Sequence, residues 1–432
     1  MSSSASKTNP LLWVPSGYFT MALTYNILTA ATVIMFSNLG MDNAKTAEYA
    51  SMLVLAYTIK PLFAAFFEIY KTKKFFVLLT QLILGCGFIG IALIMNLPSY
   101  FLPMIAVFWI LSFVGSSQDI VSNGVYVTSL DSKNQSKYCG VQSLSWNLGK
   151  LFIMSILLVL TGYLHETVFK HDPHVTGQDW VDSWQIIFVI LGILMMIMAA
   201  WHFKFMPEGS RLENAPTTPK EAVKTLADAV VTFFQKKGIW LMIGFAFFFR
   251  ISFGFLNAPS VLFLKDSQAN GGLNLTNQDF GLIYGTFGLA ALLLGSLIGG
   301  AYVARKGLEK AIFPLCIAIN IPNITFLFLA YYLPQSHLII SLGVIIEQFF
   351  FGIGSVGFII YLMQQLAPGK YATTHFAFGD SLMALCMMLT GMASGHLQQY
   401  LGYINYFVFV MIATIPSFLI CWLAPFHIKD KA

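Results

Sequence analysis

Charge is what this chain has least of. Lys, Arg, Asp and Glu make up 10% of its 432 residues, where a soluble domain carries about 25%. Too few charged side chains remain to coat a water-exposed surface, so a soluble globular protein is excluded and lipid must cover the outside. The net charge of +5 does not point to nucleic acid, because the basic residues sit in short stretches between apolar runs. Cysteine is scarce as well. Cys86, Cys139, Cys316, Cys386 and Cys421 are odd in number, form no CxxC pair and lie mostly in apolar runs, so they read as small packing residues. Also missing are HExxH, GxSxG, a phosphate-binding P-loop and any paired metal-ligand spacing, so no enzyme, metal site or cofactor is expected. The first ten residues carry no basic region and no small-residue cleavage site, and the apolar run after them reads as a retained helix, not a signal peptide.

What the chain does have is hydrophobic length: 57% of the residues are apolar and 15% are aromatic. A membrane-crossing helix needs about 20 mostly apolar residues. Twelve segments qualify, at 12–38, 47–70, 75–96, 100–130, 137–165, 183–205, 238–265, 277–304, 311–332, 337–366, 371–400 and 403–426. The expected class is an all-α integral membrane protein of twelve transmembrane helices. Placing the N-terminus inside puts eighteen of the 24 basic residues in cytoplasmic segments and only Lys45, Lys170 and Lys265 in outer ones. The positive-inside rule then makes both termini cytoplasmic.

Two loops are long. The outer one, 166–182, follows His165 and carries His171, His174, Asp172 and Asp179, but their spacing fits no zinc pattern and it reads as a solvated loop. The inner one divides the chain into residues 1–206, a linker at 207–237, and residues 238–432. Within it Thr218-Pro219-Lys220-Glu221 starts a stretch to Phe234 with apolar residues at helical spacing, which predicts an interfacial helix. A repeat supports two six-helix halves. The tight basic junction Ala64 to Lys74 matches Gly300 to Lys310 at the same place in the second half, as in transporters built from duplicated halves with a midplane site.

Charges within the apolar runs need a reason, since each costs roughly 2.5–3.5 kcal/mol to insert. They are Lys60, Asp119 and Lys150 in the first half, and Arg250, Glu347 and Asp380 in the second. At about 1.5 Å per residue, most of them share a central layer. They form either ion pairs that hold helices together or the lining of a polar cavity, and both readings hold if such pairs break and re-form. Gln118 and Asn123 accompany Asp119, Trp146 and Asn147 precede Lys150, and Asn257 follows Arg250 by two turns. Aromatic faces beside hydrogen-bonding groups suit a sugar ring.

These motifs resemble the muropeptide permease (AmpG-like) branch of the major facilitator superfamily. The resemblance rests on Tyr57-Thr58-Ile59-Lys60-Pro61-Leu62-Phe63-Ala64 ending at Glu68, and on Ser117-Gln118-Asp119-Ile120. It extends to Phe280-Gly281-Leu282-Ile283 with Gly295 to Gly307, and to Leu382-Met383-Ala384 through Ser394-Gly395 to Leu401-Gly402. It implies the major facilitator fold, in which the third, sixth, ninth and twelfth helices are peripheral; none of the six charges falls on them. The chain departs from the family at Asn123, where the family tends to have Asp, and at Trp146 and Asn147, where an Arg is expected. Ser252-Phe253-Gly254 replaces an acid expected just after Arg250.

The expected function is a proton symporter importing a polar sugar-containing solute such as a muropeptide, amino sugar or related saccharide. The alternatives are a membrane sensor or scaffold with this fold, and a transporter of an unrelated organic anion. Candidate solute-binding residues are Lys60, Gln118, Asn123, Trp146, Asn147, Lys150, Arg250 and Asn257. Candidate proton carriers are Asp119, Glu347 and Asp380, and candidate gating residues are Glu68, Lys71, Lys74, Arg305 and Lys310. The expected partners are the solute, protons and the bilayer, for a monomer in the plasma (bacterial inner) membrane.

Overall fold

The computed structural model describes residues 8–64, 67, 71–209 and 218–426, apart from the side chains of Ser132, Lys133 and Ser136. Every regular element among them is helical. Ten helical stretches are long and apolar enough to cross a bilayer. One of these, Ala372–Leu423, is two spans, because Gly402 takes φ 70° and ψ 164° and reverses the chain. One more crossing, 43–63, is broken into Asn43–Met52, Leu55–Thr58 and Lys60–Phe63. The sum is the twelve spans that the apolar runs predict.

Two spans differ from the continuous helices expected. The second starts at Asn43, capped by the Asp42 carboxylate on the Lys45 amide (2.9 Å). It then breaks at Ile59 (φ −96°, ψ 3°), two residues before Pro61. Proline has no N–H for the carbonyl one turn back and disfavours a helical residue before it. The seventh span is interrupted at Arg250 (φ −112°, ψ 18°), between Ile239–Phe248 and Ile251–Lys265. Both breaks therefore fall beside an intramembrane cation.

The linker helix runs Pro219–Phe234. The Thr218 hydroxyl accepts from the Glu221 amide at 3.2 Å, and proline stands in the first turn, where its missing N–H costs nothing. Its Ala222, Ala229 and Phe233 are buried. His375 approaches the Ala229 carbonyl at 3.1 Å, and the Lys236 ammonium donates to the carbonyls of Leu366 and Pro368. The helix thus belongs mechanically to the second half.

The first and last described stretches lie at the same end of the bundle, here the terminal end; Trp201 Nε1 donates to the Leu12 carbonyl and the Tyr361 hydroxyl to the Pro425 carbonyl there. At the far end one apolar cluster runs through both halves, from Leu23, Phe36 and Trp184 to Phe263, Phe326 and Tyr406. Towards the terminal end the core divides. Trp13, Tyr18, Val125 and Met206 pack within the first half, and Phe233, Phe245, Tyr361 and Ile420 within the second.

Candidate functional site

The far-end seam is closed by polar groups as well as apolar ones. Asn38 and Asn277 are almost fully buried and pair through their amides, Asn277 Nδ2 donating to Asn38 Oδ1 at 3.0 Å. The Asn43 amide donates to Asp266 Oδ2 (3.1 Å), Gln398 Oε1 (3.2 Å) and the Tyr403 hydroxyl (3.0 Å). Gln278 donates to Glu166 (3.0 Å), His396 meets Glu48 (3.2 Å), and the hydroxyls of Ser155 and Thr286 are 2.6 Å apart. Ser155 and Thr286 stand on two widened, π-type turns, Phe152–Leu157 and Gly281–Gly288, pressed together across the seam. Such turns recur at functional sites in helices. A side chain on Gly285 would collide with the Met154 carbonyl, and one on Gly395 would lie 2.5 Å from the Asn43 carbonyl. Small residues let the halves touch backbone to backbone.

Moving inward from this seal, the central charges come into view. Lys60 Nζ lies 3.0 Å from Asp119 Oδ2 and 3.3 Å from Asp380 Oδ2. One cation thus holds an acid from each half. On the terminal side of it, no hydrogen bond or ion pair joins two described residues across the halves. The cluster is reached by solvent: the side chains of Lys60, Asp119 and Asp380 are 21%, 17% and 35% exposed. Asn123 donates to the Asp119 backbone carbonyl (2.9 Å) and approaches its carboxylate (3.4 Å), while the Tyr18 hydroxyl donates to Asn123 Oδ1 (2.7 Å). Beside Lys60 stands an aromatic group. The rings of Tyr25 and Tyr57 meet edge to face at 5.0 Å, and Trp146 lies 5.8 Å from Tyr25. The Tyr57 hydroxyl is buried without a hydrogen-bond partner.

The other two cations stand differently. Lys150 is half-buried and interacts electrostatically with Glu347 of the opposite half, with no carboxylate within 4.0 Å among the described residues. Glu347 is 2% exposed; its Oε2 accepts from Gln348 (2.8 Å) and its Oε1 has no partner. Gln348 reaches the Tyr284 hydroxyl at 3.3 Å. Arg250 donates to the Ser355 carbonyl (3.0 Å) and to Met383 Sδ (3.2 Å).

The structure therefore brings together Lys60, Asp119, Asn123 and Asp380, with Trp146 alongside. Gln118 points elsewhere: it is fully buried, accepting from Thr24 (3.1 Å) and donating to Thr20 (3.2 Å). Asn147 donates to the Ser143 carbonyl of its own helix (2.8 Å), and Asn257 is half-buried two turns beyond Arg250. Of the gating candidates, Lys74 pairs with Glu208 of its own half at 3.8 Å, and Lys71, Arg305 and Lys310 are exposed at the terminal end. Glu68 lies outside the described residues. Sequence reasoning missed Tyr25, one of 18 Tyr beside 40 Phe, and marked Tyr57 only as the start of the resemblance motif, not as a residue of the site. It also missed a buried chain linking Ser16, His202, Gln81, Thr20 and Gln118, which ties the first, third, fourth and sixth spans.

The family model for the Major Facilitator Superfamily matches residues 16–391 of this chain. The Anhydromuropeptide permease of Escherichia coli (strain K12) is 24% identical over 407 residues, covering 91% of this chain and 75% of its own. Putative transporter AmpG 1 of Rickettsia bellii is 22% identical over 427 residues, covering 96% and 97%. Among solved structures, a D-xylose-proton symporter superposes with a TM-score of 0.71 at 12% identity, covering 98% of each chain. The nucleoside transporter NupG gives 0.67 at 16% identity, covering 96% of this chain and 97% of that one.

Proposed function

The chain belongs to the Major Facilitator Superfamily, and from that premise we propose that it is a proton symporter importing a polar, sugar-containing solute, such as a muropeptide, an amino sugar or a related saccharide. It is a multi-pass membrane transporter of a small molecule. The proposed setting is the bacterial inner membrane, as a monomer, with the terminal end cytoplasmic. Its working units are residues 1–206 and 238–432, joined by the linker at 207–237.

The observation that carries the reading is Lys60, shared between Asp119 of one half and Asp380 of the other. A buried ion pair gains little net stability, but losing one partner leaves a costly unpaired charge. Whatever enters between the halves and competes for Lys60 must therefore be compensated, and a proton on one acid does this. Asp119 is the first candidate, with Asp380 and Glu347 as the others. A solute that frees Asp119 from Lys60 makes its protonation favourable, so solute and proton move together. Tyr25 and Trp146 offer ring faces for the C–H side of a pyranose, with the buried Tyr57 packed edge to face against Tyr25 and with Lys60 and Asn123 beside them for its polar groups. The likeness to the anhydromuropeptide permease of Escherichia coli supports a muropeptide as the solute to try first.

Gating completes the cycle. The far-end seal opens and the terminal end closes, with Glu68, Lys71, Lys74, Arg305 and Lys310 forming the cytoplasmic latch. The test is uptake of labelled muropeptides, amino sugars and oligosaccharides into proteoliposomes under an imposed inward proton gradient. The reading requires accumulation of at least one of them that collapses with a protonophore. Uptake indifferent to the protonophore removes the proton, and no uptake of any saccharide removes the solute class.

A further inference from the structure

Of the three cations in the central layer, Lys60 is saturated by two acids and Lys150 faces Glu347. Arg250 differs from both. Like Lys150 it has no carboxylate within 4.0 Å among the described residues, but it stands at a helix break deep in the seventh span, and the acid nearest it electrostatically, Asp380, is already held by Lys60. Its guanidinium rests on two rings, Phe358 at 4.8 Å and Phe351 at 5.5 Å. Such stacking orients the group while leaving its edges free. A guanidinium has five N–H donors. Two hydrogen bonds are made, to the Ser355 carbonyl and to Met383 Sδ, and thioether sulfur is a weak acceptor. The Nε is buried and has no hydrogen-bond partner among the described residues. Asp380 and, across the seam, Tyr25 are the titratable groups within electrostatic reach, and Asp380 is already engaged by Lys60. The residue is thus fixed in place, adjacent to the seam, with donors unspent and no counter-ion of its own.

We propose that Arg250 is the specificity-determining residue that receives a carboxylate on the transported solute, through its free Nε edge in the bidentate geometry that guanidinium and carboxylate share. This rests on the reading that the central layer binds the solute, and it makes the solute an acidic saccharide, with its sugar towards Tyr25 and Trp146 and its carboxylate towards the second half. The docked carboxylate lies beside Asp380, the acid of the second half that shares Lys60, and its arrival loosens Lys60 from Asp119 as the proposed coupling requires.

The experiment measures binding of N-acetylmuramic acid and of its methyl ester to the purified full-length protein, by calorimetry and by ligand-induced shift of Tm. Wild type is expected to prefer the acid by about tenfold or more, as charge-assisted bidentate pairs are worth more than neutral ones. Arg250→Gln is expected to erase that preference while leaving ester affinity within about threefold, and Arg250→Lys, which keeps charge but not the fork, to restore only part of it. The Tm of each unliganded variant shows whether it is folded, and the lysine variant stands in if the glutamine variant is not. Equal loss of acid and ester in both variants makes Arg250 structural and overturns the proposal. Equal affinity of wild type for acid and ester overturns it too, and leaves saccharide transport standing. Arg250-dependent binding of the acid without uptake into proteoliposomes keeps Arg250 and removes the transport reading, whereas no binding of either ligand removes both.

Discussion

The two ends of this bundle are held together in opposite ways. At the far end a single apolar cluster spans both halves, and amides, hydroxyls and carboxylates from each half pair across the seam. At the terminal end each half has its own cluster, and no described polar bond crosses. The Lys60–Asp380 pair marks the boundary. The difference teaches where the molecule can hinge. Each cross-seam hydrogen bond is worth only about 0.5–1.5 kcal/mol net, so a set of them amounts to a few kcal/mol. Inverting a two-state population from 99:1 to 1:99 takes roughly 5.5 kcal/mol, which is of the same order. A seal made this way is strong enough to hold and weak enough for a solute and a proton to undo. A wholly apolar seal would leave nothing for their charges to act on.

Substitutions that break the comparison at its boundary should have the largest effect. Lys60→Ala leaves two carboxylates facing each other without a cation; breaking a fully buried pair costs about 3–5 kcal/mol, and solvent reaching this cluster keeps the cost at the lower end of that range. Initial uptake should fall by roughly 100-fold or more, since about 1.4 kcal/mol is a factor of ten. Uptake within threefold of wild type would show that the bridge is incidental. Next is Asp119→Asn, which keeps the shape of the site but not its proton. Accumulation driven by a pH gradient should vanish while solute exchange at constant pH continues within a few fold; retained accumulation would move the proton to Asp380 or Glu347.

A smaller effect is expected where the closed end is forced apart. Gly285→Val pushes a side chain into the Met154 carbonyl, and overpacking costs typically about 1–3 kcal/mol. Transport should drop by about tenfold, and a cysteine in place of Ser155 should become reactive to an impermeant maleimide added on the far side. An unreactive Ser155→Cys in that background would mean that the seal yields elsewhere. The mildest change is Ser155→Ala, which removes one hydroxyl pair across the seam and leaves Thr286 donating to the Gly281 carbonyl at 3.3 Å. It should alter uptake only two- to fivefold, the size of a single net hydrogen bond of about 0.5–1 kcal/mol. A tenfold loss would single out this pair as the main bolt of the far end.

How much of this was legible beforehand depended on the kind of signal. The spans and the division into halves could be read because hydrophobic length is local: the eighth was expected at 277–304 and runs Asn277–Lys306. The six central charges stood out because an ionisable group in an apolar run is rare. Their pairing did not, since Lys60 with Asp119 and Asp380 joins three helices whose rotation only tertiary packing sets. Gln118 shows the limit well. It adjoins Asp119 in sequence but is turned by about 100° on the helix, into the first half instead of the seam. The break in the second span was visible in Pro61, yet the apolar run concealed it. The seal was hidden for a different reason. Asn38, Asn43 and Asn277 sit at span ends, where asparagine ordinarily caps a helix or starts a turn, and nothing in one sequence marks them as partners.

The most direct test of rocking about the central charges is a pair of distances measured by double electron–electron resonance in one reconstituted protein, with the exposed Cys86 and Cys139 replaced. One spin-label pair joins Val168 to Leu338 at the far end, and the other joins Val127 to Met363 at the terminal end; all four side chains are exposed. The empty protein at neutral pH should give a short, narrow far-end distance and a longer terminal-end one. Adding solute with acidification should lengthen the first as it shortens the second, and Lys60→Ala should uncouple the two. Both distances moving in the same direction, or neither moving, would contradict the account.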